Sequence, residues 1–166
     1  MVAIETVSHS AEETIELGRR LARRLSPPVL VLMSGDLGSG KTTLSKGIIS
    51  GLGAAREEDV TSPTFTLVHL FHNSSPGAGP AWSPQGAKVY HVDLYRIEKA
   101  VDLESLGLED ALSEPAVVLI EWPDRFSLRT DWPKVTVQLE HLEGDSRRIT
   151  VSGLAADPPG LPGGTS

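Results

Sequence analysis

An α/β fold with a mixed, mostly parallel central sheet, flanking helices and an antiparallel hairpin at its C-terminal end is predicted by three features of this chain. Short, wholly apolar runs such as Val29-Leu30-Val31-Leu32-Met33 and Val117-Val118-Leu119-Ile120 read as strands buried on both faces, as parallel strands are. The first run leads through glycines straight into a helical pattern, the strand-turn-helix succession of a βα unit. Two β-rich runs, Lys134 to Glu140 and Arg147 to Val151, flank a polar loop with Gly144 and Asp145 that suits a hairpin.

The elements follow in order. Ser10 with Glu13 three positions later is a capping box, and Ile15, Leu17, Gly18, Leu21, Ala22 and Leu25 form one helical stripe behind it. Pro27 and Pro28 stop that helix before the strand Val29 to Met33. A second helix spans Lys41 to Leu52, with Leu44, Ile48, Ile49 and Leu52 facing inward and Gly53 as its C-terminal cap. Thr66 to Phe71 and Lys88 to Leu94 read as strands joined by a Pro/Gly/Ser-rich connection, residues 72 to 87, that is expected to be flexible. A short helix around Leu103 to Leu112 precedes the strand Ala116 to Ile120, which Glu121 closes. Residues 1 to 154 are thus expected to form one domain, and the Pro/Gly-rich stretch 155 to 166 a disordered tail.

At 166 residues the chain is long enough for one core and little more. Its net charge of -7 offers no broad cationic face for nucleic acid or anionic lipid, so any link to RNA is expected to run through partner proteins. The chain has no cysteine, which excludes disulfides and thiolate metal sites. No apolar stretch approaches the ~20 residues of a membrane span, and a cytoplasmic protein is expected.

The connection between the first strand and the second helix carries the chemistry. Gly35-Asp36-Leu37-Gly38-Ser39-Gly40-Lys41-Thr42 matches G-x-x-x-x-G-K-[ST], the loop of a P-loop NTPase-like fold. Glycines let backbone N–H groups close on phosphate oxygens at a helix N-terminus whose dipole favours anions. Asp36, Leu37, Gly38, Ser39, Gly40, Lys41, Thr42 and Thr43 are therefore assigned to a nucleotide, with Lys41 on the β and γ phosphates and the Thr42 hydroxyl on Mg²⁺.

Such a site needs a second acid at the end of a neighbouring buried strand. Glu121 and Asp93 both qualify; Glu121, after four apolar residues, is given the metal, and Asp93 the orientation or deprotonation of the attacking water. Lys41, Glu121 and Asp93 make up the catalytic set. The hydroxyls of Ser62-Pro63-Thr64 are placed to contact the γ-phosphate or the metal as a switch segment does. Asn73 is the only asparagine and no Lys follows it, so the Asn-Lys-x-Asp element of guanine readers is missing and ATP is favoured over GTP. The histidines show no metal-site spacing and are expected to be structural.

Four blocks, Gly35 to Thr43, Ser62-Pro-Thr-Phe-Thr66, Tyr90-His-Val-Asp-Leu-Tyr-Arg96 and Leu119-Ile-Glu-Trp-Pro123, resemble the TsaE (YjeE) family in order and spacing, over most of residues 10 to 151. The resemblance implies a small ATPase, with ATP and Mg²⁺ as cofactors, in the synthesis of threonylcarbamoyladenosine at position 37 of tRNAs that read codons beginning with A. It implies docking on the TsaB and TsaD subunits, which ATP binding and hydrolysis reset between turnovers. The tRNA is met only indirectly through that complex, and no membrane is involved. By motif position it carries Mg²⁺ ligation to Thr42 and Glu121, hydrolysis to Asp93 and the switch to Ser62 and Thr64. It also places Ser10 and Arg147 near the nucleotide base, where a helix cap and a surface charge are equally good readings. The connection at 72 to 87 departs from compact relatives and bears on docking alone.

Two other readings share the loop. A small-molecule kinase would need an arginine-rich lid, which does not follow the loop helix. An ATP-dependent binding switch would need no hydrolysis. With no arginine finger placed by the sequence except Arg96, slow turnover is expected without partners, since such a residue supplied in trans is worth ~10³ to 10⁵ in rate.

Overall fold

The apolar runs become the middle of a seven-stranded sheet. In the computed structural model the described residues are 2–36, 38–60, 68–72, 88–95, 101–102, 113–127 and 130–154. The strands are β1 (Val2–Ser8), β2 (Val29–Ser34), β3 (Val68–His72), β4 (Lys88–Asp93), β5 (Val101–Asp102), β6 (Val117–Glu121), β7 (Phe126–Ser127), β8 (Lys134–His141) and β9 (Arg147–Leu154), with helices α1 (Ala11–Ala22) and α2 (Lys41–Gly51). The sheet order is β1-β9-β8-β2-β6-β4-β3, and β5 and β7 form a separate parallel pair.

Strands β8, β2, β6 and β4 are mutually parallel, while β3 and β9 run against their neighbours. The mixed, mostly parallel sheet and the C-terminal hairpin stand as expected. The strand β1 is an addition: it pairs antiparallel with β9 and extends the sheet beyond the hairpin.

Side-chain alternation divides the sheet into two apolar layers. On one face Val31, Met33, Val117, Leu119, Val135 and Val137 pack with Leu17 and Leu21 of α1 and Leu44 and Ile48 of α2. On the other, Leu30, Tyr90, Val92, Val118 and Ile120 are buried together, with Trp122 and Trp132 packed against them. The parity that puts Val89 and Leu119 on the helix face puts His91, Asp93 and Glu121 there too.

Helices α1 and α2 cross at glycines: a Cβ on Gly18 would stand 2.5 Å from the Leu44 carbonyl, and one on Gly47 would drive into the carbonyl of Ile15. At the N-terminus of α1 the Ser10 hydroxyl accepts from the Glu13 N–H at 3.1 Å. The return bond of the capping box is shifted by one residue, since the Glu13 carboxylate accepts from the His9 N–H at 2.7 Å. At the end of α2, Gly53 takes φ 72° and donates to Ser50, while Ala54 donates to Ile49, a Schellman motif that closes the last carbonyls. No described helix is long and apolar enough to cross a membrane. The expected helix over 103–112, the Ser62 to Thr64 segment, Arg96, residues 73 to 87 and the tail 155–166 lie outside the described residues.

Candidate functional site

The loop between β2 and α2 needs glycine at two points. Gly40, immediately before α2, has φ 107°, and a Cβ there would be 2.7 Å from Arg147 Nε and 2.8 Å from its Cδ. Gly35 has φ 153°, and a Cβ would sit 2.5 Å from both the Leu139 carbonyl and Ser39 Oγ. The N-cap of α2 is Gly40, which has no side chain to cap the helix, so the first-turn N–H groups are left as a donor set that suits an anion. Leu37 lies outside the described residues.

Lys41 is folded into this loop. Its Nζ donates to the Gly35 carbonyl at 2.5 Å, to the Asp36 carbonyl at 2.9 Å and to Ser39 Oγ at 3.4 Å. The ammonium also stands 4.1 Å from the centre of the Trp122 ring, a cation–π contact. Burial pushes its pKa down, against the opposing pull of Glu121, Asp93 and Asp36. One charge thus faces all three carboxylates.

The two strand-end acids are neighbours in register, Asp93 of β4 beside Glu121 of β6, and Glu121 in turn pairs with Met33 at the end of β2. Both carboxyl residues are buried. Glu121 Oε1 accepts from the Thr42 hydroxyl at 3.1 Å, joining the first turn of α2 to the sheet. Its Oε2 lies 2.5 Å from His91 Nε2. Asp93 Oδ1 accepts from the Tyr95 N–H at 2.9 Å, which turns the chain back at the end of β4.

Trp122 follows Glu121 with φ 64°, a left-handed conformation that a bulky residue rarely adopts and that sits directly before Pro123. Its N–H donates to the Met33 carbonyl at 3.1 Å, and its ring packs on Tyr95 with centroids 5.1 Å apart. The backbone turn after Glu121 is what carries the ring over Lys41.

The structure therefore gathers Asp36, Ser39, Gly40, Lys41, Thr42, Glu121 and Asp93 at the carboxyl end of the parallel strands. Gly38, with φ 80°, belongs to the same loop, and Thr43 follows in the first turn of α2. Arg147 joins them, because its side chain lies against Gly40. The Ser10 hydroxyl accepts from the first turn of α1 itself; its neighbourhood is linked to the hairpin by His9 Nδ1 and Ser146 Oγ at 3.1 Å and by the pairing of Ser8 with Arg147. Ser62 and Thr64 lie outside the described residues. His91, whose sequence context reads as structural, is part of this cluster, and so is Trp122, the residue after Glu121. The signal for His91 was its spacing of two from Asp93 on one strand, which sets both side chains on the same face.

Known proteins resemble this chain over most of its length. The family model described as threonylcarbamoyl adenosine biosynthesis protein TsaE matches residues 8–149. A Treponema pallidum protein named tRNA threonylcarbamoyladenosine biosynthesis protein TsaE is 33% identical over 146 residues, 88% of this chain and 98% of that protein. A Streptomyces coelicolor protein of the same name is 38% identical over 144 residues, 84% of this chain and 89% of that one. The crystal structure of Bacillus subtilis YdiB superposes with a TM-score of 0.62 at 23% identity, covering 93% of this chain and 87% of YdiB, a likeness of fold.

Proposed function

The chain belongs to the TsaE family, and from that premise we propose that it is a Mg²⁺-dependent ATPase serving tRNA threonylcarbamoyladenosine biosynthesis as an accessory subunit. The observation that carries this reading is the 3.1 Å hydrogen bond from Thr42 to Glu121, which brings a loop hydroxyl and a strand-end carboxylate to one point beside a buried lysine. Hydroxyl and carboxylate oxygens are the hard donors that suit Mg²⁺, which takes few protein ligands alongside substrate phosphates. When bound, Mg²⁺ would neutralise charge on the phosphate oxygens.

The chain's own groups do the rest. The loop amides and Lys41 bind the phosphates, with Lys41 exchanging the Gly35 and Asp36 carbonyls for phosphate oxygens. Asp93, one strand over from Glu121, orients water for attack on the γ-phosphorus and takes its proton. Arg147, against Gly40, and Ser10 flank the nucleotide. Ser62 and Thr64 act as the switch. Residues 1 to 154 form the ATPase domain, working in the cytoplasm, and the TsaB–TsaD pair is the partner that hydrolysis resets.

The test is phosphate release by the protein with and without TsaB and TsaD, beside an Asp93→Ala variant. Partner-stimulated release that the variant lacks supports the reading; equal release by both sinks it. In cells lacking the protein, unchanged threonylcarbamoyladenosine in tRNA would sink the pathway role.

A further inference from the structure

We infer that His91 is a positioning residue for Glu121, holding one carboxylate oxygen so that the other is presented to Thr42 and the metal; this rests on the proposed role of Glu121 as a Mg²⁺ ligand. The Glu121 carboxylate is divided between two partners from different elements. Oε2 meets His91 Nε2 at 2.5 Å from β4, and Oε1 is the oxygen nearer to Thr42 Oγ1 of α2, at 3.1 Å against 3.4 Å for Oε2. The histidine is completely buried, on a face it shares with Val89 and Leu119, where an apolar side chain would pack without any polar cost.

The other ring nitrogen shows what the histidine is there for. Nδ1 is buried and, among the described residues, has no hydrogen-bond partner. With the proton on Nε2, the ring donates to the carboxylate and leaves only a lone pair unmatched. The opposite tautomer would bury an N–H without an acceptor and turn a lone pair on a carboxylate oxygen, so the Nε2–H form is the consistent one. Among the described residues the ring thus makes a single hydrogen bond, and that bond ends on Glu121. Groups that orient a metal-binding carboxylate in this way govern metal affinity by about 10- to 100-fold.

The experiment titrates Mg²⁺ into the full-length protein with ADP as the probe, and measures ADP affinity separately in EDTA. His91→Leu is expected to raise the half-saturating Mg²⁺ by about 10-fold or more while ADP affinity in EDTA stays within about twofold. His91→Gln, whose amide N–H can reach the carboxylate, restores most of the Mg²⁺ response, and His91→Leu/Glu121→Gln is no weaker than Glu121→Gln alone. A His91→Leu protein that titrates like the wild type overturns the inference, as does one that loses ADP affinity equally with and without Mg²⁺. If His91→Leu fails to fold, His91→Gln against the shorter His91→Asn decides: a better Mg²⁺ response in Gln supports the inference, and equal responses overturn it. Glu121→Gln keeping a normal Mg²⁺ response would instead remove the metal role of Glu121, and with it the ground of this inference. An impaired Glu121→Gln beside an unaffected His91→Leu removes the His91 role alone.

Discussion

Thr42 and Glu121, 79 residues apart in sequence, meet at 3.1 Å where the first turn of α2 faces the end of β6. This contact is the seam between the phosphate loop and the sheet, and substitutions on either side of it separate packing from chemistry. Thr42→Val keeps the volume and removes the hydroxyl. Its Mg²⁺ requirement for ATP hydrolysis should rise by ~10- to 100-fold, with Thr42→Ser close to the wild type. Phosphate release over a Mg²⁺ series measures both.

Gly40→Ala should abolish nucleotide binding and lower the melting temperature. The position has φ 107°, and the new methyl would press on the Arg147 side chain at 2.7 Å. Adding Arg147→Ala relieves the clash and leaves the backbone strain. The double variant should therefore recover only part of the stability, as thermal unfolding would reveal.

Gly47→Ala tests the helix crossing. Its methyl would drive into the Ile15 carbonyl, backbone that cannot rotate aside, and the expected loss is about 3 kcal/mol, the upper part of the usual range for overpacking. Urea denaturation reports it. A loss below about 1 kcal/mol would mean that α1 and α2 can separate without penalty.

His69 should make the fold more acid-sensitive. Burial, with a smaller contribution from His91, depresses its folded-state pKa below the ordinary 6.5. The unfolded chain then binds the proton more readily, so the stability that neutral His69 supports is present above pH 6.5 and is lost as pH falls through the folded-state value. His69→Gln should flatten the fall in urea midpoint between about pH 7.5 and 5 relative to the wild type.

Trp122 should report the loop. Its ring holds the Lys41 ammonium at 4.1 Å, so any ligand that draws Lys41 away alters the indole's surroundings. In a Trp82→Phe/Trp132→Phe background, Mg²⁺ with ATP should change the emission. The same addition to the Lys41→Ala form of that protein should leave the spectrum unchanged.

The parts of the fold that were legible in sequence are those whose signal is local. Val29 to Met33 and Val117 to Ile120 are apolar without a break because both faces of their strands are buried, and the glycines before Lys41 mark a backbone that other residues resist. Strand β1 was not legible: Ala3, Glu5 and Val7 face outward around half-buried Ile4 and Thr6, and its partner β9 lies at the far end of the chain. His91 read as a structural histidine because its significance depends on Glu121, thirty residues away on another strand. The left-handed turn at Trp122 has no residue signature, since a bulky residue before proline predicts an extended backbone.

The pairing of β1 with β9 also bears on mechanical behaviour. Val2 stands opposite Leu154, and six residues along the same pair Ser8 stands opposite Arg147, the residue that touches Gly40. At about 3.4 Å per residue, the Val2 and Leu154 end is ~20 Å from the loop end. A pull applied between Val2 and Leu154 would load the antiparallel pair like a zipper, breaking its rungs one after another at low force. The peeling would travel toward Arg147 and reach the phosphate loop last.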